Sequence, residues 1–224
     1  MNSIVSEKRY IQQALGIPYE NLSQSYLRAE TTLGSLSQYG FTLQANKKSS
    51  PIVSERLLNL NDQFVITHFR IGLKYLTGTS GFTDTNELLA QVQTYADPQT
   101  FTGDTLNAGA IYNGSLEFTI DRKQYLPEFP VSSFYRVPDS QTGAFLSTDG
   151  TSGTPAATFD GNTGLNGYDN GLFGFYPSEP TLIDGRQTLD INMILGAAVD
   201  ITDASNTVRA VFETRGYLVV NSKS

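Results

Sequence analysis

The sequence contains no cysteine and no tryptophan, and its only histidine is His68. The missing cysteine excludes disulfide frameworks, thiolate metal sites, iron–sulfur clusters and thiol nucleophiles together. A single imidazole excludes a multi-histidine metal centre and confines any histidine-dependent catalysis to His68. Charge is sparse as well: 17% of the 224 residues are charged, and 15 Lys and Arg stand against 22 Asp and Glu for a net charge of -7. That balance opposes a direct nucleic-acid surface, because affinity for phosphates rests on clustered cations that displace counterions. No window approaches the ~18 consecutive apolar residues of a membrane helix. The opening Met1-Asn2-Ser3-Ile4-Val5-Ser6-Glu7-Lys8-Arg9-Tyr10 lacks the basic start and apolar run of a secretory signal, so a product made in the cytoplasm, without a membrane span, is expected.

What is present is polar and β-favouring. Ser, Thr, Asn and Gln make up roughly a third of the chain, beside 20 Gly, 12 Tyr and 13 Phe. Ser3 to Leu15 reads as a short helix, with Ser3 or Ser6 as cap, Ile4, Ile11 and Leu15 near one face, and Gly16 and Pro18 as stops. A helix this short is marginal alone, so its apolar stripe must dock on something. From Tyr19 to Ser50 the pattern loosens and reads as an arm wrapping a surface. The expected division is therefore a helix and arm over 1–50 and one β-sandwich domain over 51–224.

Within the body, Phe64 to Tyr75 alternates, with Val65, Phe69, Ile71, Leu73 and Tyr75 on one face and His68, Arg70 and Lys74 on the other. Ser115 to Asp121 places Leu116, Phe118 and Ile120 inward, after an Asn113-Gly114 hairpin signal. Thr181 to Ile183 leads through Asp184-Gly185 into Thr188 to Leu195, and Val208 to Val220 supplies strand-like runs with a bulge at Gly216. The best helix signal in the body is Thr85 to Ala96, with Leu88, Leu89, Val92 and Tyr95 on one face. Between Pro138 and Gly171 the chain turns rich in Gly, Ser, Thr, Asn and Asp and reads as a long loop excursion. Many short strands, few helices and no fixed repeat predict a mainly β antiparallel sandwich of jelly-roll type.

Catalytic signals are weak. Asp160 to Gly171 offers alternating Asp and Asn oxygens, but Leu165 stands where an EF-hand needs Gly, and Gly171 where it needs Glu. A turn-rich loop is the plainer reading, and neither metal nor cofactor is expected. His68 lies on a polar strand face and no Gly-x-Ser-x-Gly elbow is present. Glu117, Asp121, Glu128, Asp190 and Glu213 fall on or near strands, where a glycosidase would need two of them facing across a cleft. The Arg122-Lys123 pair reads as a solvated turn. Phe134, Tyr135, Tyr168 and Tyr176 form an aromatic-rich region that could receive a glycan or a receptor, or serve core and interface.

The run from Glu179 to Leu195, a proline-led strand turning into an alternating strand, resembles the late strand pair of viral and bacteriophage jelly-roll proteins, and Asn59 to Thr67 resembles their first body strand. The resemblance implies a non-catalytic capsid or capsid-associated subunit located in the virion, with copies of itself and other virion proteins as partners. On that reading Ile4, Tyr10, Ile11 and Leu15 of the N-terminal helix contact neighbouring subunits. Carbohydrate-binding and receptor-binding modules share the same sandwich, so a glycan partner stands as the alternative.

Overall fold

The computed structural model describes residues 4–98, 100–137 and 179–220 in full, and the backbone of 3, 145–148 and 155–158. Helix α1 (Ser3–Leu15) is followed by strands β1 (Leu22–Thr32), β2 (Gln38–Phe41) and β3 (Gln63–Thr77). Helix α2 (Asp84–Leu89), β4 (Val92–Gln93), a 3-10 helix (Gly103–Asn113), β5 (Ser115–Ile120) and β6 (Lys123–Pro130) come next. The remaining strands are β7 (Phe145–Thr148), β8 (Pro155–Thr158), β9 (Thr181–Asp184), β10 (Leu189–Ile194) and β11 (Asn206–Val219).

The first sheet runs β1-β11-β3-β4 with β9 also on β3, the second runs β2-β10-β5-β6, and β7 pairs with β8 as a separate hairpin. All of these pairings are antiparallel. Among the described residues the first and second sheets hold nine strands; setting aside the two-residue β4, the other eight pair first with last (β1 with β11), second with second-last (β2 with β10), then β3 with β9 and β5 with β6. Successive pairs alternate between the two sheets. This is one long antiparallel ribbon rolled on itself, the jelly roll expected from the strand pattern.

Core side chains come from the inner face of each sheet. Phe69 and Ile71 of β3 and Phe212 of β11 meet Phe41, Phe118, Ile191 and Met193 of the second sheet, all nearly inaccessible to solvent. Phe69 stacks on Phe212 with centroids 6.1 Å apart, and Phe41 lies 5.8 Å from Phe212. Leu116 and Phe118 are buried as their alternation requires, with Ile120 packed against the same core.

Three expectations change. The stretch from Tyr19 to Ser50 is not an arm over a surface, because β1 and β2 lie within it and each is an integral member of a sheet. Their signal was masked by Arg28 and Glu30, which sit at alternate strand positions yet are drawn in by ion pairing. Asn113-Gly114 does not close a hairpin; it ends the 3-10 helix, and the β5–β6 hairpin turns instead at Asp121 and Arg122, with φ of 48° and 68°. Two consecutive left-handed residues form the primed turn that matches strand twist, here without glycine. Asp184-Gly185 makes the expected turn, the Gln187 N–H donating to the Asp184 carbonyl at 3.0 Å, and links strands of different sheets, β9 and β10. The predicted helix over Thr85–Ala96 shortens to α2 and gives way to β4.

The Gly216 bulge is present, as a register shift between Arg215 and Gly216 that leaves Thr67 of β3 unpaired. One extra residue inverts side-chain parity. Phe64 and Ile66 therefore join Phe69 and Ile71 in the main core, while Val65 is sent to the opposite face, where the unbroken alternation had not placed it. Gly216 is obligatory there, since a Cβ would lie 1.8 Å from the Val65 carbonyl oxygen.

Candidate functional site

The outer face of the first sheet carries the polar chemistry. Register places Tyr26, Arg215 and His68 in one row across β1, β11 and β3, and Arg28, Glu213 and Arg70 in the next. Thr32, Arg209 and Lys74 make a further row beyond Glu30 and Val211. Three zones result along this face.

At one end, Leu22, Val65, Tyr217 and Val219 form an apolar floor on which α1 lays Ile11. Ile11 is fully buried and Leu15 packs against the same cluster, so both stripe residues expected at a neighbouring subunit are used within the chain. Ile4 and Tyr10, named with them as subunit contacts, are 45% and 48% exposed. Tyr217 donates its hydroxyl proton to Glu7 at 2.7 Å, tying the helix down. Burial and the adjacent carboxylate push the Tyr217 phenol well above its ordinary range.

At the other end lies a buried ionic cluster. Lys74 is completely inaccessible and donates to Glu30 at 3.2 Å, to Ser54 at 2.8 Å and to Glu87 at 2.8 Å. Arg209 reaches both oxygens of Glu87 at 2.7 Å, and Arg28 pairs with Glu30 at 2.8 Å. Burial alone would raise both carboxyls, but it is outweighed: Arg28, Lys74 and Ser54 hold Glu30 below the usual carboxylate range, and Lys74 and Arg209 do the same for Glu87. The cluster clasps α2 to the sheet by Glu87, leaving Leu88 and Leu89 62% and 73% exposed. The apolar face foreseen for this helix is thus inverted, because pairing with two buried cations outcompetes burial of two leucines. Beside it, β4 approaches so closely that a Cβ on Gly72 would lie 2.4 Å from Val92 Cγ1.

Between these zones a groove of about 1090 Å³ stays open, floored by His68, Arg70, Glu213 and Arg215 and rimmed by Glu7, Tyr26 and Leu88–Val92. Glu213 accepts from Arg70 at 3.1 Å and from Arg215 at 3.2 Å. His68 shares a 2.7 Å hydrogen bond between Nδ1 and Thr67 Oγ1. Burial lowers its pKa, Glu7 partly restores it, and Arg215 opposite lowers it again, so the net effect favours the neutral ring. Sequence reasoning placed His68 and Arg70 on this polar face but missed the groove and the part of Arg28 and Arg215 in it. Their signal is the period-two run Tyr26, Arg28, Glu30 in a stretch read as an arm.

The other residues singled out scatter. Phe134 is a core residue, 3% exposed and 5.8 Å from Phe69 between ring centroids, so it offers no ligand surface. Tyr135 is 47% exposed and meets Tyr112 edge-on at 5.2 Å, beside a cleft of about 380 Å³ lined by Ala96, Leu106, Asn113 and Ser132. Tyr168, Tyr176 and the Asp160–Gly171 stretch lie outside the described residues. Glu117 and Asp190 sit on the second sheet and Glu213 on the first, while Asp121 accepts from the Thr188 amide at 2.8 Å to brace its turn. Among the described residues no group of three or more His, Asp or Glu is placed to hold a metal ion, and no helix is long and apolar enough to cross a membrane. Comparison with protein-family models, curated proteins and solved structures gives no match.

Proposed function

We propose that the chain is a virion structural protein: a jelly-roll subunit that assembles with copies of itself and with other particle proteins, in or on a shell, without catalysis. The winding of the sandwich carries this reading, since its first-with-last pairing of eight strands is the layout that the late strand pair and first body strand resembled in sequence. A net charge of -7 suits an exterior or accessory position better than a surface lining packaged nucleic acid. With Ile11 and Leu15 committed to the chain's own body, contacts between copies fall to exposed apolar residues such as Ile4, Tyr10, Leu36, Leu88 and Leu89. Mass photometry and negative-stain microscopy across a concentration series test the proposal. A symmetric oligomer or closed particle is expected; a monomer at high concentration that also ignores purified particles overturns it.

The half-exposed Tyr135 beside its cleft favours a second reading, a glycan- or receptor-binding module. Saturable binding on a glycan array, abolished by Tyr135→Ala, would replace the shell proposal with this one.

A further inference from the structure

β1 is an edge strand, and the polar backbone groups on its open side can be followed one by one. Arg28 exchanges both its N–H and its carbonyl with Arg56, at 2.8 and 3.0 Å, so the even-numbered residues of β1 are those that face away from β11. At one end the Leu22 N–H donates to the Tyr19 carbonyl, and the Leu22 carbonyl accepts from Lys8 Nζ at 2.5 Å. At the other the Glu30 N–H donates to Glu55 at 2.7 Å, and the Glu30 carbonyl accepts from Lys48 at 3.2 Å. Between these capped stretches lie Gln24 and Tyr26, both exposed, whose N–H and carbonyl groups have no partner among the described residues. Capped at Leu22, Arg28 and Glu30 and open between them at Gln24 and Tyr26, this stretch of edge has the form of a strand-addition site.

The surroundings set the chemistry of what would pair there. Lys8 flanks one end of the window; at the other the Arg56 guanidinium lies 5.2 Å from the Tyr26 ring centroid. The groove beside it brings Arg28, Arg70 and Arg215, so among the described residues named here five cations meet three carboxylates, Glu7, Glu30 and Glu213. This is a cationic excess on a chain of net charge -7. Arg28 ion-pairs with Glu30 through Nη2, and its Nε has no hydrogen-bond acceptor among the described residues. An added strand would place the side chains opposite Gln24 and Tyr26 on the groove face, within reach of these cations.

We propose that the Gln24–Tyr26 window of β1 receives an extended acidic polypeptide segment of a partner protein, held by four main-chain hydrogen bonds and selected by carboxylates facing the groove. A second copy paired through the same window is a poorer occupant, because a two-fold axis at Ser25 would bring Lys8 of each copy toward Arg56 of the other. The inference goes beyond the assembly reading and does not depend on it.

The probe is a fluorescein-labelled hexapeptide of alternating Val and Glu, compared with its Val and Lys counterpart, titrated into the full chain by anisotropy. The Glu peptide should bind saturably, about tenfold or more tighter than the Lys peptide, and should weaken with salt. Gln24→Pro removes an edge donor without touching the β1–β11 ladder and should cost roughly tenfold. Arg56→Glu should shrink or reverse the charge preference, and carries the test if the proline variant does not fold. Hydrogen exchange should find the Gln24 and Tyr26 amides fast in the free chain and slowed by the Glu peptide. Equal binding of both peptides, full binding by Gln24→Pro, or amides already slow in the monomer overturns the proposal. So does slowing that rises with protein concentration alone, which would identify a second copy as the occupant.

Discussion

Lys74 is the residue on which the outer face of the first sheet most depends. A fully buried ammonium is tolerated only because Glu30, Glu87 and Ser54 surround it. Lys74→Ala removes the more deeply buried of the two cations that Glu30 and Glu87 share, leaving Arg209 as the other, and should destabilise the protein by about 3–5 kcal/mol in urea denaturation. Acid should reveal the same cluster. Glu30 and Glu87 have folded pKa values below their unfolded ones, so between the two the unfolded chain binds more protons and stability falls as pH falls. Their contribution is intact above the unfolded value of 4.5 and is lost as pH drops toward the folded values. His68, also lowered, adds a shallower loss that begins below 6.5. Denaturation midpoints measured from neutral pH downward should therefore sag gently and then steeply, and Lys74→Ala should flatten the steep limb. An unchanged limb would mean that other carboxylates dominate acid unfolding.

At the scale of elements, the same apolar residues have opposite meanings in the two helices. α1 is held by Ile11 on its floor of Leu22, Val65, Tyr217 and Val219, so Ile11→Ala should cost about 2–5 kcal/mol. Leu88→Ser with Leu89→Ser should leave stability within about 0.5 kcal/mol, because α2 is clasped by Glu87 and not by its leucines. If calorimetry ranks these changes the other way, α2 rather than α1 docks through its apolar side. Sequence periodicity gave the right bounds for α1, since Gly16 adopts φ of 70° and stops it as expected. It failed for α2 because a helix of six residues offers little period to read, and because Glu87 finds its partners on distant strands. β5 was legible throughout, being apolar on one side only. β3 was legible to either side of Thr67, but not across it, since a bulge leaves its mark on the partner strand, at Gly216, and not where parity changes. The groove was illegible for a related reason: its cations come from three strands that only the rolled ribbon brings into rows.

For the whole molecule, the pairing of first strand with last has a kinetic cost. β1 cannot find β11 until most of the chain has been collapsed around it, and non-local pairing of this kind slows folding. Refolding followed by tyrosine fluorescence should be complete in milliseconds to seconds and not in microseconds. A microsecond phase carrying the full amplitude would show that local hairpins such as β5–β6 hold most of the native signal.

The same pairing has a mechanical side. Leu22 and Val219 stand opposite one another where β1 begins and β11 ends, and the Val220 amide donates to the Asn21 carbonyl at 2.8 Å just beyond. Tension applied between those two points does not drag one strand along the other. It opens the ladder like a zipper, rupturing a single hydrogen bond at a time from the α1 side inward. A sandwich that is closed by pairing its first long strand with its last is, under a pull at this seam, most easily peeled there.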